Sequence, residues 1–163
     1  MNSITIRRAQ PDDAGTLLEL IRALAEYERL EPPDVEAGAR LVEHAFGLRP
    51  KFEAYLAVEK GSSVGYAIVF ETYSTFLARP SLYIEDLFVR PEARRRGIGT
   101  ALLRYLAAEA VARGCGRMEW TVLDWNELAQ GTYHRIGADP LDEWRLCRLT
   151  GDALLRLALG EDR

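Results

Sequence analysis

The chain has 163 residues, 48% of them hydrophobic, with 21 Lys and Arg against 25 Asp and Glu for a formal net charge of −4. That length suits one domain, 1–163, with apolar residues enough for a real core. The acidic balance argues against a nucleic-acid partner, which calls for a basic face, and two cysteines and two histidines are too few for a disulfide framework or a metal centre. No run approaches the ~20 apolar residues of a membrane helix, and residues 1–8 lack the apolar segment of a secretory signal, so a cytoplasmic protein is expected.

Residues 3–8 alternate and read as a first strand. Pro11-Asp12-Asp13 signals a helix start, and Leu17, Leu18, Ile21, Leu24 and Ala25 then recur at helical spacing to about Glu28. Pro32-Pro33 stops that helix, and Asp34 is placed to cap a second one to about Phe46, with Leu41, Val42 and Ala45 facing inward. Residues 54–59 and 64–73 flank Gly61-Ser62-Ser63, the pattern of a β-hairpin. Residues 82–89 form another strand, apolar apart from Glu85 and Asp86. The strongest helix spans 99–113, with Leu102, Leu103, Leu106, Ala107 and Ala110 on one face and Gly114 as terminator. A strand over 117–123, a short helix over 126–136 ended by Gly137, a last strand over 144–149 and a Leu-rich tail over 152–159 follow. The order β-α-α-β-β-β-α-β-α-β predicts one mixed sheet with helices packed on it. Cys115 and Cys147 neighbour apolar strand-like runs and read as buried free thiols.

The most informative stretch is Leu87-Phe88-Val89-Arg90-Pro91-Glu92-Ala93-Arg94-Arg95-Arg96-Gly97-Ile98-Gly99-Thr100, an apolar strand that enters a basic, glycine-bearing turn and then a helix. Glycines let the backbone approach a ligand closely. A helix start offers unpaired N–H groups and the positive end of the helix dipole. With three arginines beside it, the turn suits a phosphate or pyrophosphate. A plain strand-to-helix turn with solvated arginines is the alternative. A Walker loop is excluded because no Lys-Ser/Thr follows the glycines, and a dinucleotide fingerprint would want a third glycine where Leu102 stands.

The whole segment resembles the acetyl-CoA pyrophosphate loop, Arg/Gln-x-x-Gly-x-Gly/Ala, of the GNAT acyltransferase superfamily. Leu123-Asp124-Trp125-Asn126-Glu127 followed by Tyr133-His134-Arg135-Ile136-Gly137-Ala138 is similar to that superfamily's downstream Asn…Tyr-x-x-x-Gly segment. Ala25-Glu26-Tyr27-Glu28, Tyr83-Ile84-Glu85-Asp86-Leu87-Phe88-Val89, Asp124-Trp125-Asn126 and Glu143-Trp144-Arg145 resemble the spermidine/spermine (diamine) N-acetyltransferase branch. The resemblance implies an α/β (α+β) GNAT fold: a single mixed, mostly antiparallel sheet of six to seven strands flanked by helices. It also implies acetyl-CoA as cosubstrate without a metal, a small amine acceptor, and a homodimer.

Acyl transfer from a thioester to an amine requires a held carrier, a polarised carbonyl, a deprotonated amine and a proton for the departing thiolate. By the resemblance, Arg94, Arg95, Arg96, Gly97, Ile98, Gly99 and Thr100 hold the pyrophosphate. Leu87, Phe88 and Val89 contact the pantetheine arm through their backbone, and Asn126 contacts the coenzyme or caps its helix. Glu85 interrupts a strand-like run where a carboxylate is costly unless paired or wet. Strand alternation turns one of Glu85 and Asp86 to the site and the other away. Glu85 and Glu28 are expected to orient and deprotonate the amine, with Tyr27 and Asp142 also on the substrate, and Glu31 and Asp34 as an extension of the acidic wall. Tyr133, a phenol of pKa near 10, is expected to protonate the CoA sulfur. The turn Asp142-Glu143-Trp144 is shorter than the branch's Glu-Glu-Gly-Trp insert. The expected function is acetyl transfer to a polyamine, diamine or lysine analogue. The alternatives are another amine acceptor (an amino acid, an aminoglycoside or a protein amine) or a non-catalytic acyl-CoA sensor.

Overall fold

The computed structural model describes residues 4–161. The chain forms two compact units, Met1–Leu123 and Asp124–Arg163. The first carries β1 (Ile4–Arg8), a 3-10 turn (Pro11–Asp13), α1 (Ala14–Glu28), α2 (Val35–Phe46), β2 (Glu53–Glu59), β3 (Ser62–Ser74), β4 (Arg79–Val89), a second 3-10 turn (Pro91–Ala93), α3 (Ile98–Ala112) and β5 (Arg117–Trp120). The second carries α4 (Glu127–Arg135) and α5 (Gly151–Ala158). Ser3, which the sequence places in the first strand, lies outside the described residues.

The sheet has the order β1-β2-β3-β4-β5. The first three pairings are antiparallel, and β4 pairs with β5 in parallel. The antiparallel run follows from the short connections, whereas the parallel pair needs the crossover that α3 supplies. Alternation sorts the side chains between two faces. Ala54, Leu56, Tyr66, Ile68 and Phe88 join Leu17, Leu20, Ile21 and Ala45 in one buried cluster beneath α1 and α2. On the other face Tyr55 meets Tyr105 of α3, ring centroids 5.5 Å apart, and Leu102, Leu103, Leu106 and Ala110 are buried. The α2 cap is the one its sequence predicts, since Asp34 accepts the Ala37 N–H at 2.8 Å.

Among the described residues five strands stand where six to seven are expected. The strand foreseen over 117–123 stops at Trp120, because the ladder with β4 ends at Ile84↔Trp120 and the next residue of β4 is a bulge. Residues 144–149 carry strand-like composition but pair with no strand among the described residues. Composition alone does not hold an extended segment without a ladder. Both cysteines are free, yet Cys147 on this segment is exposed and Cys115 only partly buried, against the buried pair expected. In the second unit the Leu-rich tail forms α5. Among the described residues no helix is long and apolar enough to cross a membrane.

One polar junction ties α3 to the sheet. Arg113 donates to both carboxylate oxygens of Glu53 at 2.7 and 2.9 Å, to the Tyr55 hydroxyl at 2.9 Å and to Glu109 at 2.9 Å. Its side chain is 22% exposed, as is that of Glu53, so removing the guanidinium leaves that carboxylate with only Arg8 at 3.3 Å and the Tyr55 hydroxyl at 2.9 Å. Arg113→Met is expected to cost about 2–3 kcal/mol. Thermal denaturation should show Tm falling by roughly 5–10 °C, whereas a Tm within a degree of the parent would mean that the junction is not a stabilising one.

Candidate active site

The site begins with a fault in the β3–β4 ladder. Val69 faces Ile84 and Ile68 faces Asp86, which leaves Glu85 without a partner on β3. An inserted residue of this kind bends the strand and re-aims its neighbours. Both Glu85 and Asp86 consequently line one cavity, on the side of the sheet covered by α1 and α2. Strict alternation, which turned one of them away, does not survive the bulge. The cavity has a volume of about 540 Å³, within the range of small-molecule sites. Ile21, Pro33, Leu41, Phe52, Ile68 and Phe70 give it apolar walls, and Lys51 also lines it.

Asp86 accepts a hydrogen bond from the Tyr66 hydroxyl at 2.9 Å. Burial pushes its carboxyl up to about 6, the Tyr66 bond opposes that rise, and the charges of Glu85 and Glu28 add to it. Glu28, on the last turn of α1, is also raised by burial. The same setting drives the Tyr66 phenol well above its ordinary value. The charges of Glu85 and Glu28 therefore act on Asp86, and Asp86 and Glu28 bind protons more tightly than in water. Asp86 was not among the expected site residues. Its signal was present, a second acid in an apolar strand, but only the bulge decides where it points.

The aromatic end of α1 meets β4 nearby. Tyr27 and Phe88 stand 6.3 Å apart, as do Phe88 and Tyr66. The Arg94 guanidinium lies 4.1 Å above the Tyr27 ring centroid, and its Nε donates to the Val89 carbonyl at 3.0 Å. Tyr27 is thus part of the wall between the acids and the glycine-bearing loop.

On the loop side, β4 has an open edge. Its parallel partner pairs with 81–84 only, so beyond Ile84 that edge, carrying Leu87, Phe88 and Val89, has no strand beside it among the described residues. An extended amide chain finds backbone donors and acceptors there. Phe88 turns its side chain into the α1-side core, so its part in any ligand contact is through the backbone. At the end of the edge, Arg95 adopts φ +60° and Gly97 φ +78°, both left-handed. Gly97 offers no side-chain cap to α3, whose first bond at this end runs from the Ala101 N–H to the Gly97 carbonyl at 2.9 Å. The N–H groups of Ile98, Gly99 and Thr100 thus form the dipole's positive end with no capping side chain. A Cβ at Gly99 would meet nothing nearer than Val89 Cγ2 at 3.9 Å, so the fold itself leaves space over this residue. These features fit a diphosphate.

The three arginines differ. Arg96 forms an ion pair with the buried carboxylate of Glu59 at the end of β2, and Arg94 is engaged as described. Arg95 is exposed and makes no ion pair or side-chain hydrogen bond among the described residues. In the second unit, Asn126 caps α4 by accepting the Ala129 N–H at 3.2 Å. Tyr133 is partly buried on α4 itself, and Asp142 is exposed in the turn that follows.

Residues 17–138 match the Acetyltransferase (GNAT) family. The chain is 37% identical over 169 residues to the thialysine N-epsilon-acetyltransferase of Sus scrofa, covering 97% of this chain and 99% of that one. It is 51% identical over 90 residues to the L-ornithine N5-acetyltransferase of Arabidopsis thaliana, covering 55% of this chain and 40% of that protein. Among solved structures, an integron cassette protein from the mobile metagenome of V. cholerae superposes with a TM-score of 0.82 at 28% identity, over 96% of this chain and 98% of that chain. A glycine-bearing loop at the open end of β4, a bulged acidic strand and a match over three-quarters of the length agree: the chain belongs to the GNAT acetyltransferase family.

Proposed function

We propose that this protein transfers the acetyl group of acetyl-CoA to a primary amine of a small cationic acceptor. The observation that carries this reading is the placement of Glu85 and Asp86 together in one cavity on a strand whose free edge leads to the glycine-bearing loop. The thialysine and ornithine acetyltransferases supply the acceptor class by likeness. The family match runs from 17 to 138, across the boundary of the two units, which supports reading the chain as a single catalytic domain.

Acetyl-CoA brings the activated acyl group. The N–H groups at the start of α3 and the Arg95 guanidinium take its diphosphate, and the β4 edge holds the pantetheine arm. The acceptor enters as an ammonium ion attracted by Glu28, Glu85 and Asp86. A carboxyl raised to about 6 is a better proton acceptor than an ordinary one, and it passes the proton outward through water before nitrogen attacks. Tyr133, at the motif position of the family tyrosine, returns a proton to sulfur, with Asn126 on the coenzyme and Tyr27 and Asp142 on the acceptor. The reading is tested by an amine panel with acetyl-CoA and detection of free thiol. Release of CoA with a dibasic acceptor supports it, and tight coenzyme binding with no release for any amine would instead mark an acyl-CoA sensor.

Three outcomes follow from these roles. Tyr133→Phe should lower kcat about 100-fold while the acetyl-CoA Kd measured by calorimetry stays within about twofold. Arg95→Asn, chosen because asparagine accepts the left-handed backbone, should weaken acetyl-CoA binding roughly tenfold with Tm unaltered. Arg96→Ala should do the reverse, lowering stability by about 1–3 kcal/mol through the stranded Glu59.

Asp86→Asn keeps an acceptor for Tyr66 and removes the charge. The folded protein holds the Asp86 proton more tightly than the unfolded chain does. That contribution is complete below the ordinary carboxylate range and is lost as pH rises through about 6. At pH 7 the Asn variant should therefore be more stable than the parent by about 1–3 kcal/mol, and the gap should close below about pH 4. Its kcat/KM for the amine should be low and should lack the rise through about pH 6 expected of the parent.

A further inference from the structure

One basic residue of the cavity lining, the exposed Lys51, is used by neither the acids nor the proposed chemistry. Lys51, on the segment between α2 and β2, lines the same cavity as Glu85 and Asp86. It forms no ion pair with either acid, nor with any other among the described residues. Opposite charges that share a small cavity ordinarily meet. Here the backbone keeps them apart. The Lys51 N–H is fixed to the His44 carbonyl at 2.8 Å, where the chain leaves α2. Ala54 pairs with Ile68, which in turn pairs with Asp86. Lys51 precedes Ala54 by three residues, at a bend before β2 begins at Glu53, a displacement of at most about 10 Å, and β2 stands two strands away from β4. The wall between these charges is apolar, made of Phe52, Ile68 and Phe70.

We propose that Lys51 reads the carboxylate of the acceptor and selects a dibasic amino acid over the corresponding diamine, an inference that rests on the acetyl-transfer reading of this cavity. An amino acid with a terminal side-chain ammonium carries that cation at one end of an apolar chain and, at the other, a carboxylate beside the α-ammonium, so that the second end has no net charge. Its ammonium end matches Glu85 and Asp86 beside the β4 edge. Its methylenes match the Phe52, Ile68 and Phe70 wall, and its carboxylate matches the Lys51 ammonium. A plain diamine presents an ammonium with no carboxylate beside it to Lys51 and is repelled. An ion pair at a cavity mouth is modest in energy. Its effect on discrimination is larger, because the same side chain attracts one acceptor and opposes the other.

The test compares acceptors that differ only at that end: L-lysine, L-lysinamide and cadaverine, and likewise L-ornithine and putrescine, with acetyl-CoA. The parent should show kcat/KM for the amino acids at least about tenfold above that for the amide and the diamines, carried by KM, and the ratio should shrink with added salt. Lys51→Met should raise KM for lysine and ornithine about two- to fivefold and improve cadaverine and putrescine, so that the preference collapses or inverts. Lys51→Arg should restore it. A Lys51→Met enzyme that keeps the parental ratio, or a parent that prefers the diamines, overturns the inference while leaving acetyl transfer intact. A parent that transfers to no amine overturns both.

Discussion

The arrangement of the first unit depends on a single extra residue in β4. With Glu85 unpartnered between Ile84 and Asp86, two adjacent acids come to the same cavity, and the ladder with β5 ends at the same point. One irregularity thereby provides both halves of the candidate site. It concentrates negative charge on the α1 side of the sheet, and it frees the strand edge that leads to the start of α3. A regular strand would send one acid to the α3 face, where Tyr55, Leu102 and Leu106 are buried, at the cost of an unpaired carboxylate in an apolar layer. The bulge is thus compatible with the core only in the form observed.

The loop after β4 uses two of its three arginines in contacts within the protein and leaves Arg95 exposed. Arg94 spans from Tyr27 to the Val89 carbonyl, and Arg96 reaches the buried Glu59. Both fix the loop to the two elements it lies against, α1 and the end of β2. Neither interaction is with a phosphate, yet both preorganise the backbone donors that a phosphate would need. Pre-set donors of this kind cost little reorganisation when a ligand arrives. Arg94 also connects the two halves of the site, since Tyr27 and Phe88 lie between it and the Tyr66–Asp86 pair.

Much of the fold was legible in the sequence because the signals were local. Asp34 as a cap, the Gly61 hairpin, and the Leu102, Leu103, Leu106 face of α3 each declare themselves within a few residues. The glycine-bearing loop and its position after an apolar strand were equally readable. What escaped was set by partners distant in the chain. The Glu85 bulge is defined only against β3. Arg96 finds Glu59 across 37 positions, so three consecutive arginines look alike in sequence and differ in the fold. Residues 144–149 have a strand's composition, but a strand exists only beside another one, and none of the described residues provides it. Of the acids, Glu85 was evident as an anomaly in an apolar run, whereas Asp86, its neighbour, was discounted by an alternation rule that the bulge suspends.

The left-handed backbone of Arg95 carries a consequence for how this loop can vary. A positive φ at a residue with a branched Cβ is strained by roughly 1–3 kcal/mol, so valine, isoleucine and threonine are disfavoured at the position. Tolerated substitutes are glycine, asparagine and, at some strain, unbranched side chains. Backbone shape therefore constrains the tip of the loop independently of charge, and asparagine fits there more readily than any β-branched residue.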